Sequence, residues 1–293
     1  MNGLKTALLL GLLSGLLIVG GRLVAGENGM LIALFIAIGM NFFSYFFSDK
    51  IALASSGAVR VNETENPEVF WRLAKIVKPL CDRMGLPMPK LWVTPERAPN
   101  AFATGRNPAH ASVAVTAGLL DLMEDREIEG VLAHELGHVK NRDILTSSIA
   151  ATLAGAITMV ASFARWGMIL GGFGGGDRRE RGGGGIGALI MILVAPIAAT
   201  LIQLAISRSR EYEADATGAH LTGNPYALAS ALEKLDAYSK RLPLQASAST
   251  AHLFIVAPLI SSGGIASLFS THPPIKDRIA RLLGRPGMNG PVG

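Results

Sequence analysis

The 293-residue chain has one cysteine, Cys81, so no internal disulfide can form and nothing ties the fold to an oxidising compartment. Aromatic residues make up only 6% and charged residues only 17%, while 49% are hydrophobic. That is too apolar for an ordinary soluble domain and too charged for membrane spans alone, so a mixture of the two is expected. The formal charge of +5 is not gathered into a basic stripe with interleaved aromatics. Residues 49–143 carry 12 Lys/Arg against 13 Asp/Glu, a balance that argues against a nucleic-acid partner. The run "GGFGGGDRRERGGGG" (171–185) lacks the Lys-Ser/Thr of a phosphate loop and reads as a flexible connector.

What the chain does contain is charge-free length. Asn28–Ser48 and Ile144–Ala164 each run 21 residues without a charge, and Gly182–Ser207 runs 26. Each can cross a hydrocarbon core about 30 Å thick. Thr6–Gly21 has 16 residues and reaches spanning length if Arg22 snorkels, as a retained signal-anchor. The expected organisation is a transmembrane hairpin over 1–48, a soluble catalytic part over 49–143, a second hairpin over 144–207 enclosing the Gly/Arg-rich loop 165–185, and a soluble C-terminal part over 208–293. The fold class is a mainly α membrane protein with two helical hairpins and an α+β domain holding a small mixed sheet. Two hairpins return both soluble pieces to one compartment, and cysteine usage favours the cytoplasm. Arg165, Arg178, Arg179 and Arg181 in the short loop run against the positive-inside tendency.

In 49–143, "NPEVFWRLAKIVKPLCDRMG" spaces Val69, Leu73, Ile76, Val77 and Leu80 helically, with Gly85 as a stop. "PKLWVT", "NAFATG" and "HASVAVT" read as short strands, the last as an exposed edge. "NPYALASALEKLDAYSK" and "IKDRIARLLG" read as amphipathic surface helices, and 242–275 as an irregular loop.

The chemistry concentrates in "GVLAHELGHVKNRDI" (130–144). On a helix, His134 and His138 lie about 40° apart and one turn above each other, so both imidazoles reach one ion. Glu135 beside them can face a water without ligating, the H-E-x-x-H arrangement. Ile128, Val131, Leu132, Leu136 and Val139 form an apolar stripe, where two histidines and an acid are costly unless a metal compensates them. A catalytic zinc takes three protein ligands and a water. No third histidine follows, because the chain after His138 reads "VKNRDI". "SRSREYEADATGAH" supplies carboxylates instead: Glu211 and Asp215 share a helical face, while Glu213 is rotated about 200° from Glu211. Glu211 is the expected third ligand and Asp215 the acceptor for a ligand histidine's distal N–H. The plain alternative is a solvated helix end in which these acids pair with Arg208 and Arg210.

"HELGH" followed across a membrane hairpin by "EYEAD" resembles the integral-membrane gluzincins of the HtpX and CaaX prenyl protease group. "NAFATG", "VAVTAGLL", "SRSREYEADATGA" and "STHPPIKDRIARL" are similar to the HtpX family in particular. The resemblance implies one zinc ion per chain held by His134, His138 and Glu211, with Asp215 beside them, and Glu135 as general base in peptide-bond hydrolysis. It also implies protein or peptide substrates, an active site at the cytoplasmic face of the cell membrane, and removal of damaged or misfolded membrane proteins. His272 in "THPP" and Asn100 in "PNAFATG" are expected to contact substrate or its oxyanion. Two other readings share parts of the pattern: a CaaX-type prenyl protease, and a catalytically silent, zinc-stabilised membrane scaffold.

Overall fold

The computed structural model describes residues 2–146, 149, 208–241 and 273–284. The remainder of the second hairpin, its Arg-rich loop and His272 lie outside the described residues.

Helix α1 is assigned over Asn2–Ser55. It does not run straight. Asn41 Nδ2 donates to Ser14 Oγ at 2.9 Å, although 27 residues of straight helix would hold them about 40 Å apart. The reversal falls at Gly26, whose φ of +62° is a left-handed setting that a side chain resists. The first two apolar windows are therefore antiparallel partners. Leu10, Leu17 and Met40 pack together around Ile149, which belongs to the third window. Within the described residues one stretch, Gly26–Phe43, is long and apolar enough to cross a membrane.

Beyond α1 come β1 (Val59–Arg60), α2 (Pro67–Met84), β2 (Lys90–Thr94), β3 (Ala101–Thr104), a 3-10 turn (Pro108–His110), β4 (Ser112–Thr116), α3 (Ala117–Leu122) and α4 (Asp125–Lys140). Later in the chain follow α5 (Arg208–Thr222), α6 (Pro225–Arg241) and α7 (Ile275–Leu282). Helix α2 starts on Pro67 and buries Leu73, Val77, Leu80, Cys81 and Met84, the stripe expected from its spacing. Its end is closed by Leu86 N–H donating to the Cys81 carbonyl at 2.9 Å.

The four strands order β1-β2-β4-β3. β2 and β4 are parallel, and β1 and β3 are antiparallel to their neighbours, so the sheet is mixed. This corrects one expectation. "SVAVT" is β4, flanked on both sides and buried at all five positions, so it has no free edge. Its alternation of small polar and apolar residues mimics a half-exposed strand, but helices cover one sheet face while Leu53 of α1 packs with Ala114 on the other. The edge on that side is β3, the "NAFATG" strand.

Helix α4 is the axis of the soluble part. Ile128, Val131, Leu132 and Leu136 are fully buried against a core shared with α2, β4 and α6. Its N-terminus is clamped by Glu127. That carboxylate accepts from the Glu124 amide at 3.0 Å, Ser230 Oγ at 2.6 Å and Lys234 Nζ at 2.7 Å. Burial alone would raise the Glu127 carboxyl, but the bonds from Lys234, Ser230 and the Glu124 amide outweigh it and hold the pKa below the usual carboxylate range. Because the folded pKa is depressed, this stabilisation is present above the unfolded pKa of about 4.3 and is lost as pH falls through the lower folded value. Glu127→Ala should cost about 2–3 kcal/mol at neutral pH, with the deficit shrinking in acid. Denaturant unfolding of the detergent-solubilised protein across pH checks both the size and the slope.

Candidate metal centre and active site

The spacing on α4 stacks the His134 and His138 rings edge to face, with centroids 4.8 Å apart. Glu211, from the first turn of α5, enters between their outer nitrogens. His134 Nε2 lies 3.8 Å from Glu211 Oε2, and His138 Nε2 lies 3.5 Å from Glu211 Oε1. One ligand atom from each residue lies within 4.8 Å of the others. Tetrahedral zinc at 2.0–2.1 Å needs ligand atoms about 3.3–3.4 Å apart, so ligand atoms that lie up to 4.8 Å apart must draw together to close on an ion.

Close approach of α4 and α5 makes this reach possible. Gly137 on α4 faces Ala214 on α5, where an added Cβ would lie 3.4 Å from the Ala214 Cα. Gly218 faces His134 itself, and a Cβ there would sit 3.1 Å from the His134 backbone nitrogen. Larger residues on this seam would push Glu211 outward.

Behind each histidine stands an acid, and behind each acid an arginine. Asp215 Oδ1 lies 2.9 Å from His134 Nδ1. Arg278 grips Asp215 with two bonds, Nε to Oδ2 at 2.8 Å and Nη2 to Oδ1 at 2.7 Å. The matching pair on the other side is Asp143 Oδ2, 3.3 Å from His138 Nδ1, with Arg210 Nη1 donating to Asp143 Oδ1 at 3.2 Å. A carboxylate can only accept, so each one holds a ring proton on Nδ1 and turns Nε2 toward Glu211.

Electrostatics decide what the cage wants. Burial, opposed by Asp215, leaves His134 with a lowered pKa, hence in the neutral form a metal requires. Burial would lower His138 as well, but its bond to Asp143 and the charges of Glu211, Glu135 and Asp143 push it up to about 9. Asp215 is also buried, yet Arg278 and His134 bring it down to about 2. Glu135 is raised to about 7, chiefly by burial, with Glu211 adding to the rise. Glu135, Asp143, Glu211 and Asp215 are all buried, against the buried guanidinium groups of Arg210 and Arg278. Four carboxylates face two guanidiniums among the described residues, and the raised His138 reflects that excess of acidic groups, which a divalent cation would also meet. The donor set of two imidazoles and a carboxylate suits zinc.

Glu135 lies beside the cage, and its Oε2 accepts from the Ala103 N–H of β3 at 2.9 Å. Glu213 is exposed. Asn100 is buried just ahead of β3, its N–H donating to Thr116 Oγ1 at 2.9 Å and its carbonyl accepting from Thr116 N at 2.9 Å. Arg278 and Asp143 were not anticipated. Helix α7 is amphipathic as expected, but Arg278 shares the face of Ile275, Ile279 and Leu282 and is fully buried. A charge at i+3 on an apolar face was the available signal.

Comparison with known proteins agrees with this geometry. A model of Peptidase family M48 matches residues 67–286. A Protease HtpX homolog of Desulfatibacillum aliphaticivorans is 56% identical over 290 residues, covering 99% of this chain and 92% of that protein. A Protease HtpX homolog of Pelotomaculum thermopropionicum is 52% identical over 282 residues, covering 96% and 98% respectively. The crystal structure of S. mikatae Ste24p shares the fold at a TM-score of 0.50 and 20% identity, covering 96% of this chain and 63% of that one. The molecule is thus a membrane metalloprotease with zinc as its cofactor. More narrowly, the chain belongs to peptidase family M48, in the company of the HtpX proteases.

Gly218→Val should overpack the α4–α5 seam at a cost of about 1–3 kcal/mol. Competition with a chromophoric chelator is expected to show zinc affinity reduced about tenfold, the equivalent of about 1.4 kcal/mol. Unchanged affinity would mean that the seam does not set the reach of Glu211.

Proposed function

We propose that this enzyme is a zinc-dependent endopeptidase that hydrolyses peptide bonds of damaged or misfolded membrane proteins at the cytoplasmic face of the cell membrane. His134, His138 and Glu211 are the zinc ligands, Glu135 is the general base, and Asp215 orients His134. The observation that carries this reading is the convergence of Glu211 on the two Nε2 atoms, with Glu135 buried alongside and outside the ligand triangle.

When bound, zinc supplies Lewis acidity, which polarises a carbonyl and acidifies a water. Glu135 is held by the Ala103 amide through Oε2, which leaves Oε1 to take a proton from the attacking water and return it to the departing amine nitrogen. Its pKa near 7 suits both transfers at neutral pH. His134 and His138 keep their Nδ1 protons on Asp215 and Asp143 throughout. The substrate backbone adds beside β3, the outer strand of the sheet among the described residues. Pairing of Ala103 with Val113 and the bond from Ala103 N–H to Glu135 turn the backbone groups of Ala101 and Ala103 away from β4 and toward the site.

The membrane arrangement follows from the same convergence. α4 and α5 touch, yet 144–207 separates their ends with two long apolar windows. Two crossings by those windows, a hairpin that leaves and returns on one side, are the path this reading assigns to the segment. Arg106 rests over the Phe46 ring at 5.7 Å, which holds the end of β3 close to the first hairpin. Peptide bonds close to the bilayer surface are thereby favoured. A silent scaffold would have no use for a buried, near-neutral carboxyl beside a three-residue metal cage.

Glu135→Gln should retain stoichiometric zinc and slow hydrolysis of an unfolded protein by about 10²–10⁴-fold. Glu211→Ala should instead lose the metal, as read by elemental analysis. Incubating zinc-reloaded enzyme with an unfolded protein and with a farnesylated peptide, beside Glu135→Gln, tests the substrate class. Cleavage of the farnesylated peptide alone would assign the CaaX-type activity, and no turnover of either would reject the endopeptidase reading.

A further inference from the structure

The second histidine has a support that no sequence motif advertises. Asp143 is five residues past His138, and on a continuous helix it would lie about 140° around the axis and about 7.5 Å further along. It could not reach the imidazole from there. Helix α4 instead stops at Lys140, and Arg142 adopts a φ of +59°, the only positive φ at a non-glycine residue within the described residues. A side chain in this left-handed setting costs about 1–2 kcal/mol. The kink turns Asp143 back so that Oδ2 lies 3.3 Å from His138 Nδ1.

The other oxygen of Asp143 meets Arg210 Nη1 at 3.2 Å. Arg210 directly precedes Glu211, whose Oε1 faces the opposite nitrogen of the same ring at 3.5 Å. His138 is thus held at both ends by one dipeptide, 210–211, once through Glu211 and once through Asp143. The two partners sit at the two ends of the second membrane segment: Asp143 immediately precedes Ile144, and Arg210 follows Arg208 and Ser209 after the last apolar window. Arg210 is buried, and its Nε and Nη2 have no hydrogen-bond partner among the described residues, so Asp143 is its described anchor.

Resting on the ligand assignment proposed above, we infer that Asp143 and Arg210 are positioning residues: an ion pair that orients His138 and ties the chain just past α4 to the start of α5 at the metal cage. Asp143 sets the tautomer and rotation of the ring. Arg210 sets Asp143 and, through its neighbour, the placement of Glu211.

The test is a double-variant cycle in the full-length, detergent-solubilised chain, carried in a Glu135→Gln background to suppress self-cleavage. Zinc affinity is read by chelator competition, and the site geometry by the visible absorption of the cobalt-substituted protein. Asp143→Asn is expected to weaken zinc about 10–100-fold and to shift the cobalt bands. Arg210→Met should weaken it in the same direction, and the double variant should be no weaker than Asp143→Asn alone. If Arg210→Met fails to fold, Arg210→Lys carries the same comparison. Affinity within about twofold of the parent, with an unchanged cobalt spectrum in Asp143→Asn, would overturn the role of Asp143. Losses that simply add would overturn the coupling through Arg210. Failure of the parent to bind one zinc, or undiminished binding in Glu211→Ala, would strike the ligand assignment instead.

Discussion

The soluble part of this protein is organised around buried negative charge. Among the described residues, four buried carboxylates converge on two imidazoles and two guanidinium groups, in a region where water screens them poorly. Such a cluster is unstable as a protein interior and stable as a cage for a dication. The arginines hold the acids that hold the histidines, and the residual charge is what the metal answers. The same low-polarity surroundings that make the cluster costly bring Glu135 to near neutrality, where a carboxyl can both take and give a proton.

A second constraint is distance along the chain. The ligands come from α4 and from α5, with the apolar windows of 144–207 between them. Bringing both ends together requires a seam of small residues, Gly137, Ala214 and Gly218, where the two helices pack almost backbone to backbone. It also requires α7, much later in the chain, to carry Arg278 through the apolar layer to Asp215. The site is therefore a meeting of three separate stretches, and the sheet edge at β3 completes it by fixing Glu135.

Much of this was legible in the residues. The apolar stripe of α2, the H-E-x-x-H helix and the paired acids of α5 each rest on a local period that survives folding unchanged. The edge assignment for "SVAVT" failed because alternation reports small and polar side chains, not solvent; Ser112 and Thr116 are buried like their neighbours, and Thr116 caps α3 by accepting from the Leu119 amide at 3.1 Å. Arg278 was passed over because a charged residue on an amphipathic helix is ordinarily on its wet face, and nothing nearby in sequence names its partner.

By itself, the order of residues determined which helix carries the imidazoles, which acid shares a face with another, and which windows can enter a bilayer, because each is a matter of periodicity along one segment. Only the tertiary structure decided that β3 is the edge beside the site, that a left-handed Arg142 swings Asp143 onto His138, and that Arg278 is buried against Asp215. Those are relations between segments far apart in the chain, set by packing and by the need to pair buried charge, and no local pattern encodes them.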